Sequence, residues 1–331
     1  MTMARVIGTG FYVPDRVVTN DDLTAFMDTS DEWIRTRTGI EQRHWATEGE
    51  TGVELARRAS TKALEASGRT PEDLDAIVFA TSTPDQFCPG NGTLLQHELG
   101  AGTIPAIDIR TQCSGFVYAL SVADAWIRAG NYRCILVVGQ EIQSTAMDLS
   151  TAGRDVSVIF ADGAGAVVLE ADDTDRQGLL AFDLHSDGSQ AQHLWVESPA
   201  SKNHPRISQE DVAAGKHLLR MNGKEVFRHA VELMPSSALA ALDKAGLALA
   251  DVALVIPHQA NLRISDMVQR RLGLRDDQIY NNIQRYGNTT AATIPIALDE
   301  CVRQGRISAG DIVVLTAFGS GFLWGSAVVR W

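Results

Sequence analysis

Three side chains in the sequence stand where side chains do chemistry. Cys113 follows the strand-like run IPAIDIRTQ and precedes SGFVYALSVADAW, which reads as a helix. A thiol at a helix start sits in the positive potential of unpaired N–H groups. That setting lowers the thiol pKa below its usual ~8.5 and favours the nucleophilic thiolate. Ser114 and Gly115 are small, so a substrate carbonyl has room to approach the sulfur. His258, in VIPHQANLRI, and Asn288, in RYGNTTAATIP, occupy two further junctions between elements. A neutral imidazole there can donate one hydrogen bond and accept another. Each residue also has a plain reading: a packed core thiol, a satisfied structural histidine, a helix N-cap. On residue type and position alone, both readings stand.

The other cysteines lack such a setting. Cys134 begins an apolar strand, Cys301 lies on an amphipathic helix, and Cys88 sits in the loop FCPG. The remaining histidines fall in helical or loop patterns. No GxSxG, Walker A, HExxH or zinc-knuckle spacing is present, so no metal is expected. The run GTGFYV at 8–13 has Val13 where a dinucleotide fingerprint needs its third glycine.

The elements that must position these residues alternate along the chain. Strand candidates run at 76–80, 104–110, 134–139, 157–161, 253–257 and 311–318. Helix candidates run at 53–68, 114–130, 224–246, 262–273 and 290–305. The alternation predicts an α/β fold with sheets covered by helices. Pro235 and Pro295 fall inside two helical patterns and predict a kink or a later start. Gly130 lies 17 residues after Cys113, and Gly305 lies 17 after Asn288. Each helix then leads to a strand and a glycine-bearing stretch, 161–170 and 319–329. This weak repeat predicts two duplicated lobes, 1–171 with the cysteine and 172–331 with the histidine and asparagine. Cys113 and Asn288 would then sit at equivalent junctions facing a shared cleft. Residues 171–220 are polar and irregular and read largely as an inserted loop region.

Bulk properties narrow the function. With 331 residues, 45% of them hydrophobic, the chain can bury a large core. A formal net charge of -12 argues against non-specific nucleic-acid binding and against adhesion to acidic lipid. No run of ~18 apolar residues could span a membrane, and the N-terminal segment lacks the pattern of a signal peptide. Four cysteines without a CxxC pair fit a reducing compartment. A cytoplasmic protein is expected.

Together these residues resemble β-ketoacyl-acyl-carrier-protein synthase III, a condensing enzyme of the thiolase superfamily. The likeness runs through TSDEWIRTRTGI (29–40), QCSGF (112–116), FADGAGAVVL (160–169), PHQANLRI (257–264), YGNTTAATIPIALDE (286–300) and AFGSGFLWGSAVVRW (317–331). It implies a five-layered αβαβα thiolase fold, a homodimer and a ping-pong reaction with no resident cofactor. By resemblance, Cys113 accepts an acyl group from acyl-CoA. Malonyl-acyl carrier protein then loses CO₂ and attacks that thioester, giving the 3-oxoacyl product that initiates fatty acid synthesis. His258 and Asn288 would steady the enolate with two neutral N–H donors. The backbone N–H groups of Cys113 and Ser320 would form the oxyanion hole, Ser320 standing where the family usually has glycine. Trp33 and Arg37 resemble an adenine-stacking pair, and Thr29, Arg154, Phe227 and Asn261 resemble further coenzyme A contacts. Lys224 stands where the family often has asparagine. Arg228, Arg263, Arg270 and Arg271 resemble a docking patch for an acidic carrier protein.

Within the superfamily, Asn288 argues against synthases with a second histidine at that place. Gly319-Ser320-Gly321 lacks the second cysteine of a degradative thiolase. Two rivals stay open. One is a related condensing enzyme of secondary metabolism with another acyl donor or acceptor, which QCSGF in place of the more frequent alanine after the cysteine allows. The other is a non-catalytic acyl-CoA-binding homologue, which would have no need of all three residues.

Overall fold

Strands that are apolar along their whole length need cover on both faces, and helices supply it. The computed structural model describes residues 2–174 and 177–331. Nine strands build its two larger sheets. They are β1 (Met3–Tyr12), β2 (Ala76–Ala80), β3 (Ala106–Ile109), β4 (Cys134–Glu141), β5 (Gly163–Asp172), β6 (Gly178–Ser186), β7 (Val252–Pro257), β8 (Ile312–Gly319) and β9 (Leu323–Arg330). The first sheet has the order β1-β5-β4-β2-β3 and the second β6-β9-β8-β7. In the first, β1, β5 and β4 pair antiparallel while β4, β2 and β3 run parallel. In the second, β6, β9 and β8 pair antiparallel and β7 runs parallel to β8. The two orders match apart from β3. A parallel bridge between Val255 and Ile279 stands at the corresponding place in the second sheet.

The principal helices are α1 (Asp31–Thr38), α2 (Gly52–Ser67), α3 (Asn91–Leu99), α4 (Gly115–Arg128), α5 (Gly223–Lys244), α6 (Leu262–Leu272) and α7 (Thr293–Arg303). Helices α4 and α7 lie between the sheets. Their Phe116, Leu120, Ile294 and Leu298 share one core with Val78 and Val137 of the first sheet and Leu254 and Leu315 of the second. Burying each such side chain contributes about 1.5–3 kcal/mol, so packing fixes where α4 and α7 begin. Helices α2 and α3 cover the outer face of the first sheet, and α5 and α6 that of the second. The result is the five-layered αβαβα arrangement that the resemblance implies.

Several sequence expectations change. The sequence pattern gives no strand at 3–12, yet β1 is there. Its Gly8 and Gly10 weaken the pattern. An added Cβ on either would collide with the backbone of α2, at Ala63 O or Ala59 O, so bare backbone lets α2 lie directly on β1. SVIFA (157–161) is not a strand. Residues Arg154–Ser157 are helical, and Val158, Ile159 and Phe160 pack with Ile34 of α1 in a separate cluster. The stretch 171–220 is not mainly loop at its start, because β6 is a full strand of the second sheet. Its buried Asp183, ion-paired with Lys244 and hydrogen-bonded to His185 Nε2, disguises the strand as polar sequence. Residues 175 and 176 of that stretch lie outside the described residues. Pro235 sits within an uninterrupted α5, and Pro295 is third in α7, where amides lack intrahelical acceptors.

The internal match also shifts. Gln112 and Thr290 are the described non-glycine residues with positive φ, 46° and 52°. Each opens a short 3-10 turn, Gln112–Ser114 and Thr290–Ala292, that runs into α4 or α7. By that mark Cys113 corresponds to Ala291 and not to Asn288. The equal 17-residue offsets arise because α4 has 14 residues and α7 has 11.

Candidate active site

Cys113 occupies the 3-10 turn between β3 and α4 and is only 6% exposed. Its sulfur environment is nevertheless open, because Cys113 borders two cavities of about 340 and 470 Å³. The smaller cavity also contains His258 and Asn288, and the larger one Ser82, Thr83, Phe87 and Leu219.

The thiol departs from the sequence expectation. Burial pushes it up to about 12, the Glu141 carboxylate adds to the rise, and the backbone N–H groups of Ser320 and of Cys113 itself oppose it. Lost hydration outweighs the helix-start potential, so Cys113 rests as a neutral thiol. The two opposing N–H groups are those of the implied oxyanion hole. Ser320 keeps its N–H on the sulfur while its hydroxyl turns away to the Leu194 carbonyl. Gly319, at the end of β8, packs directly on the cysteine. A Cβ there would lie 2.6 Å from Cys113 Cβ and 3.1 Å from its Sγ.

His258 follows β7, and its N–H donates to Thr316 O at 2.8 Å. The ring is 2% exposed, and burial pushes its pKa down to about 3, so it is neutral near pH 7. Nδ1 lies 2.6 Å from Thr293 Oγ1. Asn288 is not an N-cap: α7 starts five residues later, after Ala292. It is bridged to Phe160, donating its N–H to Ile159 O at 2.9 Å. Its side-chain Oδ1 accepts from Thr290 N at 2.8 Å, which leaves the Nδ2 protons for the cavity. The structure therefore brings a thiol, a neutral imidazole and a carboxamide donor to one cavity. That set can hold a developing oxyanion without a proton transfer to it.

Sequence reasoning missed Glu141, the last residue of β4. It is fully buried, and it accepts from Ser82 N at 3.0 Å, Ser82 Oγ at 2.9 Å and Thr83 Oγ1 at 2.6 Å. Burial raises its pKa to about 7 against the pull of Thr83 and Ser82. The available signal was an acid two residues past the apolar run CILVVG. Above that pKa the Glu141 anion opposes ionisation of Cys113. Glu141→Gln removes the anion, so the pH midpoint for alkylation of Cys113 by iodoacetamide moves to lower pH. An unchanged or higher midpoint would show that Glu141 does not control the thiol.

The residues assigned to coenzyme A by resemblance divide. Trp33, Arg37, Phe227 and Asn261 line the smaller cavity. The guanidinium carbons of Arg37 and Arg154 lie 4.5 and 4.7 Å from the Trp33 ring centre, so the indole carries two cationic contacts. Thr29 does not line the cavity, and its buried hydroxyl has no partner among the described residues. Asn261 caps α6 by accepting from Arg263 N and donates to Arg37 O, both at 3.0 Å, so it ties α6 to α1. The exposed Arg37, Lys224 and Arg263 put positive charge on the same cavity. Arg270 and Arg271 are exposed in the last turn of α6. Arg228 is exposed and paired with Glu225 at 2.8 Å.

Known proteins resemble this chain along its whole length. Residues 107–188 match the model of 3-oxoacyl-[acyl-carrier-protein (ACP)] synthase III, and residues 242–331 match that of its C-terminal part. A β-ketoacyl-[acyl-carrier-protein] synthase III of Cereibacter sphaeroides is 46% identical over 336 aligned residues, 100% of both chains. The crystal structure of 3-oxoacyl-[acyl-carrier-protein] synthase III from Aquifex aeolicus VF5 superposes with a TM-score of 0.91 at 40% identity, covering 99% of this chain and 100% of that one. The priming β-ketosynthase of the R1128 polyketide pathway gives a TM-score of 0.91 at 36% identity, with 99% and 96% covered. With whole-chain identity at this level and the cysteine, histidine and asparagine gathered at one cavity, the chain belongs to the 3-oxoacyl-[acyl-carrier-protein] synthase III family.

Proposed function

We propose that the protein condenses an acyl-CoA primer with malonyl-acyl carrier protein, releasing CoA and CO₂ and forming 3-oxoacyl-acyl carrier protein, the step that starts fatty acid synthesis. The observation that carries this reading is that Cys113 borders two spaces, one of which presents a neutral His258 and the Asn288 amide. The smaller space suits the pantetheine arm, and the larger one the acyl chain.

In the first half-reaction the Cys113 sulfur attacks the acyl carbonyl and the bond to the CoA sulfur breaks. The thiol proton ends on the departing CoA. The N–H groups of Cys113 and Ser320 stand beside the sulfur and receive the oxyanion. In the second, loss of CO₂ leaves an electron pair on the α-carbon, delocalised onto the thioester oxygen. His258 and Asn288 donate to that oxygen. The α-carbon attacks the acyl-cysteine, and the departing sulfur regains a proton from water. These steps draw on no resident metal or organic cofactor.

The positive charge of Arg37, Lys224 and Arg263 suits the phosphates of coenzyme A and phosphopantetheine. Together with Arg228, Arg270 and Arg271 it suits an acidic carrier protein. A homodimer accounts for Phe87, 64% exposed yet on the wall of the larger cavity, and for the single neighbour of edge strand β3. Among the described residues no helix is long and apolar enough to cross a membrane. Four free cysteines suit the reducing cytoplasm.

Incubation with acyl-CoAs graded in chain length, followed by peptide mass analysis, tests the reading. One acyl group is expected on Cys113, discharged by malonyl-acyl carrier protein as a 3-oxoacyl product. The chain-length profile then gives the primer class. Acylation elsewhere, or an adduct discharged only by some other thioester, would overturn it.

A further inference from the structure

His258 and Asn288 serve as donors only if something else holds their acceptor atoms. An amide with its oxygen free, or an imidazole protonated on the wrong nitrogen, would face an enolate with a lone pair and repel it. The first turn leading into α7 meets both atoms. Thr290 N–H donates to Asn288 Oδ1 at 2.8 Å, which turns Nδ2 toward the cavity. Thr293, the first residue of α7 and 2% exposed, brings its hydroxyl to His258 Nδ1.

That contact is 2.6 Å. N–H···O bonds run about 2.7–3.2 Å and hydroxyl donors form the shorter bonds, about 2.5–3.0 Å to oxygen, so 2.6 Å lies on the side of a hydroxyl that donates. The competing acceptor for the same proton is Thr290 O, farther away at 3.1 Å. If the hydroxyl proton lies on His258 Nδ1, the single proton of the neutral ring is on Nε2. Nε2 has no protein partner among the described residues, and His258 lines the cavity with Cys113 and Asn288.

We propose that Thr293 is a positioning residue that holds His258 in its Nε2–H tautomer, so that the 290–293 turn makes donors of both His258 and Asn288. A donor is required at this place, and the Thr293 hydroxyl supplies it. A carbonyl or carboxylate would accept from Nδ1 and reverse the tautomer, and an aliphatic side chain would leave it unset. The inference rests on the condensation proposed above.

Thr293→Val keeps the side-chain shape and removes the hydroxyl. It is expected to slow release of labelled CO₂ from malonyl-acyl carrier protein by about tenfold to a hundredfold, the size of one lost buried hydrogen bond. Acylation of Cys113 by acyl-CoA stays within a few-fold, and Thr293→Ser restores decarboxylation. ¹⁵N NMR of the histidine-labelled wild-type protein, with the His258 signal assigned by its loss in His258→Gln, reads the tautomer without substrate. A protonated Nε2 and an unprotonated Nδ1 are expected, with the preference weakened in Thr293→Val. A protonated Nδ1 in the wild type would overturn the proposal, even if the valine variant failed to fold. So would equal loss of both half-reactions in Thr293→Val. Failure of wild-type Cys113 to become acylated would instead defeat the condensation reading and leave the NMR result standing.

Discussion

His258→Ala and Asn288→Ala each lower malonyl decarboxylation by about 10²- to 10³-fold, the usual cost of one oxyanion donor, while acylation of Cys113 falls by less than about tenfold. The split follows from which N–H groups face which oxygen. The backbone N–H groups of Cys113 and Ser320 stand at the sulfur and, in the reaction proposed here, serve the first half-reaction. His258 and Asn288 line the smaller cavity and, in the same proposal, serve the second. The proposed role of the histidine is that of a neutral donor, because burial lowers its pKa to about 3. The sign of the pH dependence follows. A histidine acting as imidazolium would lose activity as pH rises through about 6.5. A neutral one leaves the decarboxylation rate flat across that range. Acylation is followed by mass and decarboxylation by release of labelled CO₂. Equal losses in both assays, or a fall in decarboxylation centred near pH 6.5, would contradict the assigned roles.

The layered α/β fold was legible from local signals, which also singled out Cys113, His258 and Asn288 without deciding their roles. Strand-to-helix junctions can be read from apolar runs meeting amphipathic ones, and motif order carried the family. What stayed hidden depends on approach between distant segments. Strand β1 went unread because Gly8 and Gly10 spoil its pattern, and their reason lies in α2. The thiol pKa was expected low from the helix start alone. Its rise comes from burial and from Glu141, which reaches Cys113 only because β4 is packed in the centre of the first sheet. Thr293 gave no signal, since its partner His258 lies 35 residues away along the chain. The 17-residue repeat was a true regularity of the sequence whose cause was misread, because a shorter α7 moved the helix end and not the reactive residue.

Gly319→Ala tests the opposite half of the site. The added Cβ would stand 2.6 Å from Cys113 Cβ, 3.0 Å from its N and 3.1 Å from Sγ. Neither side can yield cheaply. Gly319 ends the fully buried strand β8, and Cys113 is pinned by the turn into α4 beneath the shared core. Overpacking of this kind costs about 1–3 kcal/mol of stability, which a chain with so large a core can absorb. The larger effect is geometric. Moving the sulfur, or the Ser320 N–H beside it, by about 1 Å can cost on the order of 10² in rate. Acylation of Cys113 is therefore expected to fall by about 10²-fold, with malonyl decarboxylation reduced less, the reverse of the His258 and Asn288 pattern. Circular dichroism and thermal melting establish that the variant is folded, and quenched-flow mass analysis reads the acylation rate. A folded variant that acylates as fast as the wild type would mean that the sulfur is free to move. The close fit between β8 and the cysteine turn would then have no part in aiming the nucleophile.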